Sequence, residues 1–421
     1  MDTTGNTEGS LGRSWVVLII ATLSAMFLYA HSTSFAPFLT VVADDLGVDP
    51  GRAAQIFTAR LWGDAFFLLF CGVLADKFGV RFVVAVGSLV TVAILACLLF
   101  FGTSLNVVLF LYFMLGLPGG MIFPCISSLC VNWLPGRYHG LAGGIFMCLG
   151  VTAGYGLGPL LGPYALELTG HWRSAVFSLA TLNILIAILA LIFITKPTRV
   201  FFKPEATTSL ATGEAKPSML KLLLLPITIV GSLAVVCSSW SYMGIANYVS
   251  TIVAEAPPIG MGRGEFMGGR MAVILSLASI VGGLLGGFIY DRIFKGRGRP
   301  QFLVGILLQT AVFLILLGAF RESLSAFAMV IIACGVGAQL FTPVTYATAS
   351  KVYPEGTAST MVGLWWGIGT WGSGLGLYLC GRSLERTGNL DSSIVNLGVA
   401  ALVGFLLILF FWRERFLKAK V

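Results

Sequence analysis

About twelve apolar stretches, each near the roughly 20 residues an α-helix needs to cross a bilayer, divide this chain of 421 residues. Their approximate limits are 14–41, 52–75, 81–102, 107–132, 139–166, 172–196, 219–252, 267–290, 300–320, 325–350, 358–381 and 391–412, with charged or Pro/Gly-rich breaks between them. Few folds accept such a succession, because in hydrocarbon every backbone N–H and C=O must find its partner within the protein. A β-barrel would read as alternating segments of about ten residues, and these runs are longer and uninterrupted. With 10% charged and 57% apolar residues, against about 25% charged in a soluble domain, the chain cannot cover itself with solvated groups. Its 52 glycines suit helices that approach closely in lipid. The first run is too long for the apolar region of a cleaved signal peptide, so it is expected to remain as a span.

An even number of spans puts both termini on one side. With the termini inside, 18 of the 26 lysines and arginines are cytoplasmic, and Arg52, Arg60, Arg173, Arg263, Arg270, Arg321, Arg382 and Arg386 are not. The positive-inside rule therefore predicts cytoplasmic termini, with a bacterial inner membrane as the expected location. The longest hydrophilic stretch falls at mid-chain, which prompts a search for an internal repeat. A shift of 219 residues matches Gly116 with Gly335, Pro124 with Pro343, Pro135 with Pro354, Gly144 with Gly363 and Gly150 with Gly369; a shift of 218 matches LELTG (166–170) with LERTG (384–388). The expected architecture is an all-α integral membrane protein of twelve transmembrane helices in two pseudo-symmetric six-helix bundles, 14–196 and 219–412. A cytoplasmic linker at 197–218 joins them, with tails at 1–13 and 413–421. A monomer suffices, since one chain holds both bundles. The basic residues are scattered one to four per loop rather than gathered in a stripe, which speaks against nucleic acid. The eight cysteines lack CxxC or metal-ligand spacing, so no metal or cofactor is expected and they read as small core residues.

Between spans 2 and 3 the chain reads GVLADKFGVRF (72–82). At every fixed position it resembles the loop signature of the major facilitator superfamily, G-x-L-a-D-[RK]-x-G-x-[RK]. A degenerate copy between spans 8 and 9 consists of Gly287, Asp291, Arg292 and then Lys295 or Arg297. An Asp at a helix C-terminal end opposes the local dipole and needs cations nearby, which Asp76 finds in Lys77 and Arg81. The resemblance implies that Gly72, Asp76, Lys77, Gly79 and Arg81, with Asp291 and Arg292 in the second copy, latch the bundles on the cytoplasmic side. It also implies alternating access about a site near the bilayer midplane. GYGLGPLLGP (154–163) is similar to the family's antiporter-associated signature, with Pro163 in place of its last glycine; the same small-residue spacing also serves plain helix packing.

Ionisable residues inside a membrane are costly and mark functional sites. Asp64 lies 12 residues before Asp76, about 18 Å along a helix, hence near mid-membrane. Arg60 is at i−4 on the same face, so the two are expected to pair. Either they form a self-neutralising structural pair, or Arg60 attracts an anion while Asp64 takes a proton or gates the site. His31, within YAHSTSF, sits in an unusually polar patch for a span and could titrate near neutral pH. Span 7 adds Tyr242 and Asn247; spans 10 and 11 add Gln339, Tyr346 and the tryptophans 365, 366 and 371, with Trp366 the cavity candidate. Arg270 opens span 8 near the outer mouth, placed to attract or gate anions.

WLPGRYHGLAGG (133–144) and TGHWRSAVF (169–177) resemble the organic-anion porters of the superfamily. Organic-phosphate porters carry arginines where this chain has His31 and Tyr242, and oxalate-type carriers set a helix 8 arginine deeper than Arg270. A small monoanion such as a monocarboxylate, moved with a proton or by exchange, is the expected substrate. The alternative is proton-coupled export of an amphipathic drug or metabolite with Asp64 as the proton site. An enzyme is not expected, because no buried His/Asp/Ser constellation suits acyl or phosphoryl transfer.

Overall fold

The computed structural model describes residues 5–123, 129, 133–134, 138–194, 219–316, 323–353 and 358–412. Within helices it leaves some side chains undescribed, among them those of Asp76, Lys77 and Tyr346. The described residues contain helices and no strand. Ten segments are long and apolar enough to cross a membrane. The other two expected spans are also helical, one in the part of Gln55–Phe101 before Gly79 and one at Ala358–Thr387, which is 30 residues long.

The first half comprises α1 (Gly5–Thr33), α2 and α3 (the parts of Gln55–Phe101 before and after Gly79), α4 (Leu105–Met114 with Gly116–Ile122), α5 (His139–Ile145 continuing through Ala153–Thr169) and α6 (Trp172–Ala180 with Leu182–Phe193). The second comprises α7 (Pro226–Ala254), α8 (Glu265–Phe288), α9 (Gly298–Leu316), α10 (Leu324–Val352), α11 (Ala358–Thr387) and α12 (Asp391–Phe411). Packing repeats between the halves. The pairs α2–α4, α1–α5 and α3–α6 recur as α8–α10, α7–α11 and α9–α12, and the halves join through α5–α8 and, symmetrically, α2–α11. Side chains such as Phe100, Leu168, Leu284 and Phe410 stand exposed on the outside, as a surface bathed in lipid requires.

Three local features depart from the sequence expectation. The signature after span 2 is a direct helix-to-helix junction rather than a longer loop: α2 and α3 meet at Gly79, with φ 80° and ψ 158°, a backbone region that glycine alone enters without strain. Arg81, just beyond, donates to the Leu191 carbonyl of α6 at 2.7 Å and so ties α3 to α6. Helix α1 begins at Gly5, inside the expected tail, and its regular turns end at Thr33, earlier than 41. Beyond it a 3-10 turn at Ala36–Phe38 leads into a separate short helix, Leu39–Leu46. Pro37 has no N–H for Thr33 and its ring crowds that carbonyl, while Ser32, Thr33 and Ser34 turn their hydroxyls back on Leu28, Tyr29 and His31. The linker and the tail after residue 412 lie outside the described residues.

The stretch GYGLGPLLGP is a packing stripe. A Cβ at Gly154, Gly158 or Gly162 would strike the carbonyls of Met26, Ala30 and Ser34, so two rows spaced by four residues meet face to face along α1 and α5. The other side of α5 presents Gly156 to Ser276, and Gly269 of α8 fits against Pro159. This glycine row therefore sets the distance at which α1, α5 and α8 cross, the role small residues play in lipid. Four cysteines, 71, 237, 334 and 380, are buried and Cys97 is exposed; Cys125 and Cys130 lie outside the described residues.

Candidate functional site

Arg60 and Asp64 form the ion pair that their spacing predicts. Arg60 is 4% exposed. Its Nε donates to Ser32 Oγ of α1 at 3.0 Å, and its guanidinium lies over the Tyr29 ring, 5.6 Å from the centroid. A desolvated cation against an aromatic face gains about 2 kcal/mol. Tyr29 in turn meets Tyr155 of α5, ring centroids 5.2 Å apart. The floor is α4, where a Cβ on Gly119 would overlap the Asp64 carboxylate and one on Gly116 would strike the backbone of Gly63 and Asp64. The pair thus fits because α4 offers it bare backbone. Losing the Ser32 contact in Ser32→Ala is expected to lower stability by about 1.5 kcal/mol, the range for a hydrogen bond to a charged group, measurable by thermal denaturation in detergent.

Buried polar groups here lack hydrogen-bond partners among the described residues, foremost Arg60 Nη2 and both ring nitrogens of His31, which is 0% exposed. Buried polar atoms are nearly always satisfied, so such a concentration beside a buried cation is what a site prepared for a polar ligand or water looks like. Tyr112 of α4, also without a partner for its hydroxyl, lies within the electrostatic reach of Arg60.

The second half contributes Tyr242 of α7, whose hydroxyl donates to Ser279 Oγ at 3.1 Å and sits within reach of Gln339. Tyr155 links the halves, since it feels both the Arg60–Asp64 pair and Tyr242. His31, Arg60, Asp64, Tyr242 and Gln339 are therefore gathered about the seam between the halves. The other sequence candidates make different contacts. Asn247 donates its amide to Met243 on its own helix. Arg270 is exposed at the start of α8, and Asp291 and Arg292 are exposed in a π-turn at Ile289–Ile293. Trp366 is half-buried with no partner for its indole nitrogen, whereas Trp365 packs against Tyr353 and Trp371 is exposed. Gly72 lies within the Gln55–Phe101 helix; the side chains of Asp76, Lys77 and Tyr346 lie outside the described ones.

Sequence reasoning missed Tyr29, Tyr155 and Gly119, which reach Arg60 only through helix packing. A crevice of about 190 Å³ between α1, α5 and α8 lies at the same seam, lined by Met26, Gly156, Leu160, Val273, Ser276 and Ile280 among others; its apolar walls suit lipid rather than an anion. No three His, Cys, Asp or Glu side chains converge as metal ligands among the described residues.

Two halves of matching helix packing, with polar groups near their seam, are the architecture of a membrane transporter. Residues 18–377 match the model of the Major Facilitator Superfamily, and the chain belongs to that family. The 4-hydroxybenzoate transporter PcaK of Acinetobacter baylyi is 24% identical over 93% of this chain and 90% of its own. The Probable galactarate/D-glucarate transporter GudP of Escherichia coli K12 is 22% identical over 94% and 92%. The Quinolone resistance protein NorA of Staphylococcus aureus is 21% identical over 67% and 68%. Among solved structures, a D-xylose-proton symporter superposes with a TM-score of 0.73 at 12% identity, covering 97% of this chain and 99% of the other, which speaks to the fold alone. The chain is a multi-pass integral membrane transporter, and both family and fold point away from an enzyme.

Proposed function

We propose that this transporter moves a small organic anion, a monocarboxylate, by alternating access coupled to a proton or to exchange. The observation that carries the reading is Arg60: a cation buried within the span α2, with Nη2 lacking a hydrogen-bond partner among the described residues. Asp64 neutralises it in the resting state. A proton on Asp64 removes that competitor and leaves the guanidinium to a carboxylate, so proton and anion load together and the pocket's net charge is unchanged. His31, Tyr242 and Gln339 supply further hydrogen bonds, and Tyr29 with Tyr155 forms an aromatic wall. Asn247, Tyr346 and Trp366 are assigned to the route beyond this cluster in this reading, and Arg270 draws anions towards its mouth. The glycine-rich turn at 72–81 and its copy at Asp291 and Arg292 latch the cytoplasmic face, with both termini on that side. PcaK and GudP, by their names carriers of 4-hydroxybenzoate and of galactarate or D-glucarate, support an organic anion, and PcaK alone of the two a monocarboxylate.

The likeness to NorA favours one other reading, export of an amphipathic compound with Asp64 as the proton site. The two part on ligand charge. A ligand at 100 times its dissociation constant stabilises the folded state by about 2.7 kcal/mol, so the melting temperature of the purified protein is measured across small carboxylates, inorganic anions and lipophilic cations. A rise with carboxylates that vanishes in Arg60→Ala is expected. A rise only with lipophilic cations, lost in Asp64→Asn, would replace anion transport by export.

A further inference from the structure

On the face opposite the termini the halves are in contact. Thr251 Oγ1 on α7 donates to the Ala36 carbonyl in the 3-10 turn after α1, at 2.6 Å. One turn on, Glu255 accepts from Thr40 twice: the backbone N–H to Oε1 at 2.9 Å and the hydroxyl to Oε2 at 2.7 Å. Thr251 and Glu255, spaced i, i+4, thus grip a broken segment of the other half at two points spaced by the same four residues. Glu255 is 8% exposed and stands as the C-cap of α7, where the helix dipole repels a carboxylate. It points instead at the first turn of the eight-residue helix Leu39–Leu46, where free N–H groups and a positive dipole end welcome one. That helix has no side-chain cap of its own, because its N-cap residue is Phe38. A residue of one half therefore caps a helix of the other, and the cap exists only while the two faces touch.

We infer that Glu255 is the latch of this face, a positioning residue whose side chain, through its two contacts with Thr40, stabilises the state in which the distal gate is shut and so sets the balance of the transport cycle. Around it are Asp44 of the short helix, Glu265 of α8 and, next to Glu265, Glu167 of α5, with Arg263 in the connection between α7 and α8. Burial, with Asp44 adding to it, raises the Glu255 pKa above the ordinary carboxylate value, although the Thr40 contacts pull it down. When the gate opens the carboxylate returns to water and an ordinary pKa. The shut state thus holds the proton more tightly, and lowering pH through this range adds to the shut population.

The test is hydrogen–deuterium exchange on the full chain in lipid nanodiscs, read at a remote part of the same gate. There Gly51 packs on Gly381 and Glu385, and Gln55 donates to the Tyr378 carbonyl; Glu255 touches none of these residues. Glu255→Ala is expected to speed exchange in residues 51–57 and 378–386 about tenfold, the scale of a lost charged hydrogen bond, with Glu255→Gln intermediate. After correction for intrinsic rates, seam protection in the parent rises as pH falls, and in Glu255→Gln the rise is smaller, the part that remains belonging to Glu265 and Asp44. Faster exchange confined to 36–46 and 255–264 would make Glu255 a local cap and overturn the inference. Equal pH slopes in the parent and Glu255→Gln would do the same, and that comparison holds even if Glu255→Ala fails to fold.

Discussion

Arg60→Ala is expected to abolish carboxylate uptake and to destabilise the protein by about 3–5 kcal/mol, the range for breaking a buried ion pair from one side. Asp64 then remains buried with no cation and must take up a proton to stay there. The stability loss alone would explain a dead transporter, so the informative protein is Arg60→Ala with Asp64→Ala. Removing both charges restores most of the melting temperature, because no uncompensated charge is left, yet uptake stays lost if Arg60 binds the anion. Recovery of carboxylate uptake in the double variant would mean that the pair is structural only.

Gly116→Val is the second large effect. Its Cβ would occupy the position of the Gly63 backbone, so α2 and α4 must separate where α2 carries Arg60 and Asp64. Overpacking of this kind costs about 1–3 kcal/mol and more where backbone rather than a side chain must yield. Gly143→Val on α5 is the control, since a Cβ there meets nothing within 4 Å. Size-exclusion profile and melting temperature in detergent are expected to separate the two variants clearly. Equal behaviour would remove the close α2–α4 crossing from the explanation of the site.

What the chain disclosed by itself was whatever is local along one helix. Span positions follow from runs of apolar residues, and the Arg60–Asp64 pair follows from i, i+4 geometry, so both were legible. The glycines of 154–162 were visible as a pattern, but only the facing row Met26, Ala30 and Ser34 shows that the pattern measures the gap between α1 and α5. Tyr29 stood two residues from His31 and drew no notice, because the feature that matters is the guanidinium arriving from α2. Along the sequence Glu255 is an acid between two apolar runs. Its meaning depends on Thr40, 215 residues away, in a helix whose break at Pro37 no periodicity announces. The turn at Gly79 shows the converse: the motif was legible, while its form, two helices joined directly at one residue, depends on a backbone angle that sequence states only as a preference for glycine.

The most direct measurement is uptake of labelled monocarboxylates and of a lipophilic cation into proteoliposomes under an imposed pH gradient, for the parent chain and for Arg60→Ala with Asp64→Ala. Anion transport through Arg60 predicts saturable, gradient-driven accumulation of a carboxylate in the parent and none in the double variant. Accumulation of the lipophilic cation alone, abolished by Asp64→Asn, would contradict it.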